Sequence, residues 1–288
     1  MIQMYKCAHV IKRKILKKLP RRVKLALKPI AYFSTDTFDL LSGRRDTLMP
    51  PNRMIFVGDG NFREIGEEFL QYFIRLGCLK PNESVLDVGC GIGRMAIPLT
   101  KYLNKNGNYE GFDIVSRGVD WCTKNITPKF PQFHFQLADI YNKYYNSKGR
   151  YSASEYKFPY ENESSDFVFL TSVFTHMLPQ DMKNYFYEIA RVLKKQGRCL
   201  ITFFLLNDEA CKLIDAKKSA LDFKYVFEGY RIIDKSVPEK AIAYDEQMVC
   251  MLFEKHGLRI KEPIHYGSYC GRQNLLSYQD IIIASKKG

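Results

Sequence analysis

A hydrophobic run, Ser84-Val85-Leu86-Asp87-Val88, passes directly into Gly89-Cys90-Gly91-Ile92-Gly93 and then into a segment of helical periodicity that begins at Arg94. Glycines at alternate positions permit a tight turn and a close approach of backbone to a ligand. The helix that follows presents unbonded N–H groups at its start. A strand that turns through glycines into a helix opens a βαβ unit, so the chain is committed to parallel strands with helices laid across them.

The remaining sequence continues that alternation. Short runs rich in Val, Ile, Leu and Phe predict seven strands, at 84–88, 109–114, 133–137, 166–171, 198–205, 259–264 and 278–284. Helical periodicity falls between them at 94–103, 118–125, 180–193 and 245–255, with a further amphipathic helix upstream at 64–76. Gly77 is the expected C-terminal cap of the upstream helix, and Lys194, Lys195 and Gly197 the expected close of the one over 180–193. The last two strands have no crossover helix between them and read as an antiparallel pair. The predicted fold is α/β, a seven-stranded, mostly parallel sheet with helices on both faces. A chain of 288 residues suits one such domain with appendages.

Those appendages divide the chain into a basic amphipathic segment (1–33), an N-terminal arm and cap helix (34–80) and the main domain (81–288). The main domain is interrupted by an insertion over 207–244. The formal net charge of +13 is concentrated at one end: residues 1–30 hold ten Lys or Arg and no acid, which leaves 34 basic against 31 acidic groups elsewhere. The eight cysteines show neither a CxxC pair nor zinc-ligand spacing, so no metal site is expected and a reducing, cytoplasmic setting fits. No run is apolar and long enough for a membrane span.

GxGxG after a strand is shared with dinucleotide enzymes and is weak by itself. Here the loop is GCGIG and the strand before it carries Asp87, an acid better suited to a sulfonium cation than to a pyrophosphate. With these residues the chain resembles the class I S-adenosylmethionine-dependent methyltransferases, whose first motif is hydrophobic-hydrophobic-D-hydrophobic-G-C/A-G-x-G on a Rossmann-like sheet. The resemblance runs from about Gly43 to Ala284 and is densest between Ser84 and Leu205. It implies S-adenosylmethionine as cofactor, held by Asp87, Gly89, Cys90, Gly91 and Gly93. Asp113 at the end of the second strand would bind the ribose, with Ile114 beside it. Asp139 would meet the adenine amino group while Ile140 packs on the ring, and Thr171 would approach the methionine part.

His176, in Val173-Phe174-Thr175-His176, is the candidate catalytic base for an acceptor hydroxyl; the competing reading is a histidine that packs or orients the loop. Phe62 of the arm and Tyr230 of the insertion are candidate acceptor contacts. The aromatic residues of the insertion suit either a lid over a polar ring or the core of a small subdomain. Motifs of DNA-methylating enzymes are absent after the fourth strand, where Thr171-Ser172-Val173-Phe174 stands. A small polar, carbohydrate or lipid-linked glycan acceptor methylated on oxygen is therefore the leading expectation. An RNA methyltransferase with a basic arm and a non-catalytic cofactor-binding protein are the alternatives. Residues 10–28, with apolar groups every four positions among lysines and arginines, suit the anionic surface of the inner membrane face. RNA or a packed partner helix are the other readings of that segment.

Overall fold

The computed structural model describes residues 46–58, 60–273 and 275–287, together with Val23, Leu27, residues 30–33 and 36–38, and Leu41. The basic segment expected over 10–28 lies outside the described residues apart from Val23 and Leu27. Asp59 of the arm lies outside them too. No helix of the described residues is long and apolar enough to cross a membrane.

The helix α1 (Phe62–Arg75) begins where Asn61 accepts a hydrogen bond from the Arg63 amide, and its buried Phe62, Gly66, Leu70 and Phe73 recur at helical spacing on one face. The elements β1 (Ser84–Val88), α2 (Ala96–Tyr102), β2 (Asn108–Asp113), α3 (Ser116–Asn125), β3 (Phe133–Leu137), β4 (Ser165–Leu170), α4 (Pro179–Val192) and β5 (Leu193–Phe203) follow in alternation. Beyond the insertion come α6 (Glu246–Lys255), β10 (Leu258–Ile260) and β11 (Asp280–Lys286). The main sheet has the order β10-β11-β5-β4-β1-β2-β3, parallel from β5 to β3. β11 runs antiparallel to both β5 and β10, the closing pair the sequence predicts.

Strand alternation divides the core. Leu86 and Val88 of β1 join Phe186 and Ile189 of α4 and Phe253 of α6 on one face. Val85 joins Phe73 of α1, Leu99 of α2 and Cys122 of α3 on the other. Phe73 packs on Phe169 of β4 with ring centroids 4.3 Å apart, which fixes α1 against the middle of the sheet.

Two expected caps are corrected. α1 ends at Arg75 with Leu76 after it, and the left-handed residue is Cys78 (φ 53), not Gly77. Gly77 answers a close approach instead, since a Cβ there would lie 2.6 Å from the Phe167 ring. After α4 the chain enters β5 at once, so Lys194, Lys195 and Gly197 are strand residues and the left-handed position is Gln196 (φ 62). An irregularity in the β4–β5 pairing absorbs the polar start of β5, where Lys194 bonds Asp166 at 2.7 Å.

The insertion folds as a small second sheet. β6 (Leu205–Leu206), α5 (Asp208–Asp215), β7 (Tyr225–Phe227), β8 (Tyr230–Ile232) and β9 (Ile242–Asp245) form it, with strand order β6-β9-β8-β7. Its own core includes Phe204, Leu206, Ile214, Phe223 and Tyr269, which favours the subdomain reading of this segment. Only Phe204 separates β5 from β6. The buried Asp280 carboxylate accepts from the amides of Leu205 and Gly267, each at 2.7 Å, and so ties that junction to β11.

Candidate active site

Gly89, Gly91 and Gly93 all take positive φ, at 87°, 60° and 79°. The first two have no room for a side chain: a Cβ on Gly89 would lie 2.4 Å from Val173 Cγ2, and one on Gly91 2.9 Å from Val57 Cγ1. The amides of Gly89 and Cys90 both donate to the Phe112 carbonyl, at 2.9 and 3.0 Å, which clips the loop to the end of β2. One residue on, the Asp113 carboxylate accepts from the Gly91 amide through Oδ2 and from the Val115 amide through Oδ1, both at 2.8 Å. Burial raises the Asp113 pKa to about 6 against the opposing pull of the Val115, Gly91 and Ile114 amides. The carboxylate retains lone pairs for a diol while holding the glycine loop in place.

Above this floor opens a cavity of about 1110 Å³ at the carboxyl ends of β1, β2 and β4. It brings together Gly89, Cys90, Gly91, Asp113, Ile114, Ile140, Thr171 and His176 of the residues singled out from sequence. Ser172 beside them is a non-glycine residue in the left-handed region (φ 61), held by its amide to Thr202 Oγ1 at 2.8 Å and by its hydroxyl to Gln279 at 3.1 Å.

Five of the expected site residues do not line the cavity. Asp87 alternates with Val88 along β1 and so points to the opposite face. There it is fully buried, with Tyr109 Oη donating to Oδ2 at 2.7 Å and Oδ1 lacking a partner. Burial raises its pKa to about 8, partly offset by that hydrogen bond. Gly93 lies beneath the loop and admits α3, since a Cβ there would come within 3.0 Å of Cys122 and Ile126. The side chain of Asp139 turns aside to pair with Arg150. Phe62, at the first turn of α1, is buried in the core of that face. Tyr230 stacks on Phe227 across the β7–β8 hairpin, 4.9 Å between centroids, and the insertion instead reaches the cavity through Leu221 and residues 239–241.

His176 closes a single 3-10 turn, Phe174–His176. Its Nδ1 lies 2.8 Å from the Glu239 carbonyl oxygen, which can only accept, so Nδ1 carries the proton and Nε2 is the accepting nitrogen. Nε2 is 3.5 Å from Tyr145 Oη, and the ring lies parallel to Tyr144 at 5.9 Å. Tyr144, Tyr145 and Arg94 also line the cavity and were not singled out from sequence. The two tyrosines sit in a loop without periodicity, where the only signal is the local density of aromatic residues in Tyr141-Asn142-Lys143-Tyr144-Tyr145.

A family model described as a methyltransferase domain matches residues 79–257, which span β1 to α6. The chain belongs to the class I S-adenosylmethionine-dependent methyltransferases. Similar solved structures of this methyltransferase fold include an S-adenosylmethionine-dependent methyltransferase from Methanosarcina mazei, 21% identical, covering 74% of this chain and 97% of that one at TM-score 0.51. Another is the 1,6-didemethyltoxoflavin-N1-methyltransferase of Burkholderia thailandensis, crystallised with bound 1,6-didemethyltoxoflavin and S-adenosylhomocysteine. It is 14% identical at TM-score 0.50, covering 94% and 91% of the two chains. Among curated proteins, phosphoethanolamine N-methyltransferase 2 of Caenorhabditis elegans is 25% identical over 150 residues, 52% of this methyltransferase and 29% of that protein. A probable cobalt-precorrin-6B C(15)-methyltransferase of Thermoplasma acidophilum is 26% identical over 77 residues, 26% and 37% of the two chains. The methyltransferase thus spans well under half the length of either curated relative. Its cofactor is S-adenosylmethionine, and the glycine cradle and the Asp113 carboxylate at the cavity floor fit that molecule's close-packed backbone contacts and ribose diol.

Proposed function

We propose that this methyltransferase methylates an oxygen of a small polar or carbohydrate acceptor, with His176 as the general base. The observation that carries the reading is the 2.8 Å contact from His176 Nδ1 to the Glu239 carbonyl, which presents Nε2 as a proton acceptor at the cavity wall. When bound, S-adenosylmethionine supplies a methyl group activated by its sulfonium. Gly89, Cys90 and Gly91 would hold its amino-acid part, Asp113 its ribose, Ile114 and Ile140 its adenine, with Thr171 near the methionine chain. The tyrosine-rich wall of Tyr144 and Tyr145 orients the imidazole and excludes water, so alignment and desolvation add to base catalysis.

The test is formation of S-adenosylhomocysteine over a panel of sugars, hydroxy acids, phenols, amines and RNA, with wild type and His176→Gln. The reading expects turnover on a hydroxyl acceptor and a kcat about 10²–10⁴-fold lower in the variant, with cofactor affinity unchanged. Turnover on amines or RNA alone, or an unaffected kcat in the variant, refutes it.

The N-terminal part supports a further proposal, a peripheral seat on an anionic membrane surface. Val23, Leu27, Ile30 and Phe33 are exposed apolar residues at helical spacing, beside a stretch rich in lysine and arginine. Sedimentation with phosphatidylglycerol vesicles but not with phosphatidylcholine vesicles is the expected result, and equal recovery with both would oppose it.

A further inference from the structure

Arg94 follows the last glycine of the loop, in the turn that leads into α2, and lines the cavity. Among the described residues it makes no ion pair and no hydrogen bond through its side chain. Nε is sealed from solvent without a partner, and Nη1 lies so near Gly58 that a Cβ there would stand 3.1 Å from it. Burial lowers its pKa to about 10, which still leaves it charged at neutral pH. A largely buried cation without a counter-ion is costly, and proteins retain one where a ligand supplies the opposite charge.

The surrounding groups do not supply it. The ionisable groups that act on Arg94 are Tyr145 and Asp87. Tyr145 is a phenol, and Asp87, with a pKa of about 8, is mostly protonated at neutral pH. Glu68, which also lines the cavity and accepts the Tyr72 hydroxyl, is not among the groups that act on Arg94. Tyr145 further shows which half of the cavity the guanidinium serves: its hydroxyl is 3.5 Å from His176 Nε2, so Arg94, Tyr145 and His176 form one wall.

We propose that Arg94 anchors an anionic group, a carboxylate or a phosphate, on the acceptor, so that the substrate is an acid whose nucleophilic oxygen lies towards His176. A planar guanidinium at the cavity wall suits two-point recognition of such a group. The assignment rests on the reading of His176 as the acceptor side of the site.

The test is calorimetric titration of the S-adenosylhomocysteine complex with inorganic phosphate and with acetate at constant ionic strength, for wild type, Arg94→Lys and Arg94→Gln. Titrations with S-adenosylhomocysteine and with methylthioadenosine, which lacks the amino-acid carboxylate, accompany it. The expected result is weak anion binding by wild type, weakened in Arg94→Lys, which keeps the charge and loses the fork, and weakened further, by about tenfold or more, in Arg94→Gln, with affinity for both nucleosides unchanged. Anion binding that is absent from wild type, or equal in wild type and Arg94→Gln, overturns the proposal. Loss of S-adenosylhomocysteine affinity in Arg94→Gln with methylthioadenosine affinity intact overturns it as well, because the guanidinium would then serve the cofactor. A wild type that loses anions on removal of Arg94 yet binds neither nucleoside would uphold the anion site and sink the proposed placement of the cofactor.

Discussion

Replacing Asp113 by asparagine separates the two tasks its carboxylate performs. In the folded chain Oδ1 and Oδ2 each accept one backbone amide, from Val115 and Gly91, and the lone pairs that remain are those proposed to receive the ribose hydroxyls. An amide side chain keeps one accepting oxygen and replaces the other by an NH₂ group that cannot accept, so at least one ribose hydroxyl loses its bond to a charged acceptor. Such a bond contributes about 1.5–3 kcal/mol, which corresponds to about a 10- to 140-fold rise in the Kd for S-adenosylhomocysteine. Titration calorimetry at pH 8 measures it directly. The pH dependence supplies an internal check. The Asp113 pKa is raised to about 6, and the charged form is the one that binds a diol best, so wild-type affinity falls by roughly tenfold per unit as pH drops below that value. Asp113→Asn has no such group and shows a flat profile there. A variant that binds within about threefold of wild type at pH 8, or that keeps the acidic slope, refutes the reasoning.

Two further outcomes follow from the loop and the strand beneath it. Gly89→Ala combines a φ of 87° with a Cβ placed 2.4 Å from Val173, so it should lower unfolding stability by about 1–3 kcal/mol in urea titrations and weaken cofactor binding; wild-type stability and affinity would contradict the geometry. Asp87 has an ordinary value of 3.8 and a folded pKa of about 8, so the folded state loses stability progressively as pH climbs between those values and no further above them. Asp113 contributes the same sign of slope only up to about 6. Thermal melts should therefore show wild type declining between pH 6 and 8 and Asp87→Asn flatter over that window, and parallel curves would refute the buried, protonated state of Asp87.

The sheet was legible in the sequence because its strands are short apolar runs bounded by glycine, proline or polar residues. β1 and β3 begin and end where those runs do, at 84–88 and 133–137. The start of β5 was not, because Leu193-Lys194-Lys195-Gln196-Gly197 has the composition of a helix end, and what makes it a strand is pairing to β4 and the bond from Lys194 to Asp166. At the site, the motif located the glycine loop and Asp113, whereas the direction a side chain faces required the fold. Asp87 is the instructive case: strand alternation alone places it opposite Val88, yet the motif invited a reading that put it beside the ligand. Tyr230 misled for another reason, since an aromatic-rich insertion is equally compatible with a lid and with a small apolar core, and here it stacks within its own hairpin. Arg94 was passed over because a basic residue at the start of a helix has no local signature that separates a solvated surface group from a buried one.

The junction at Phe204 bears on how molecules reach the cavity. One residue separates strands of two different sheets, its ring is packed against Phe223 and Tyr269 while also facing the cavity, and Asp280 pins the next amide. A coupling so short and so tightly held leaves little room for a hinge, and the insertion and the main sheet are expected to move as one piece. Entry and exit are then expected at the wall segment that belongs to neither sheet and bonds few of its own amides, the arm around Phe56 and Val57. Amide hydrogen exchange should accordingly be fast in that arm and slow on both sides of Phe204.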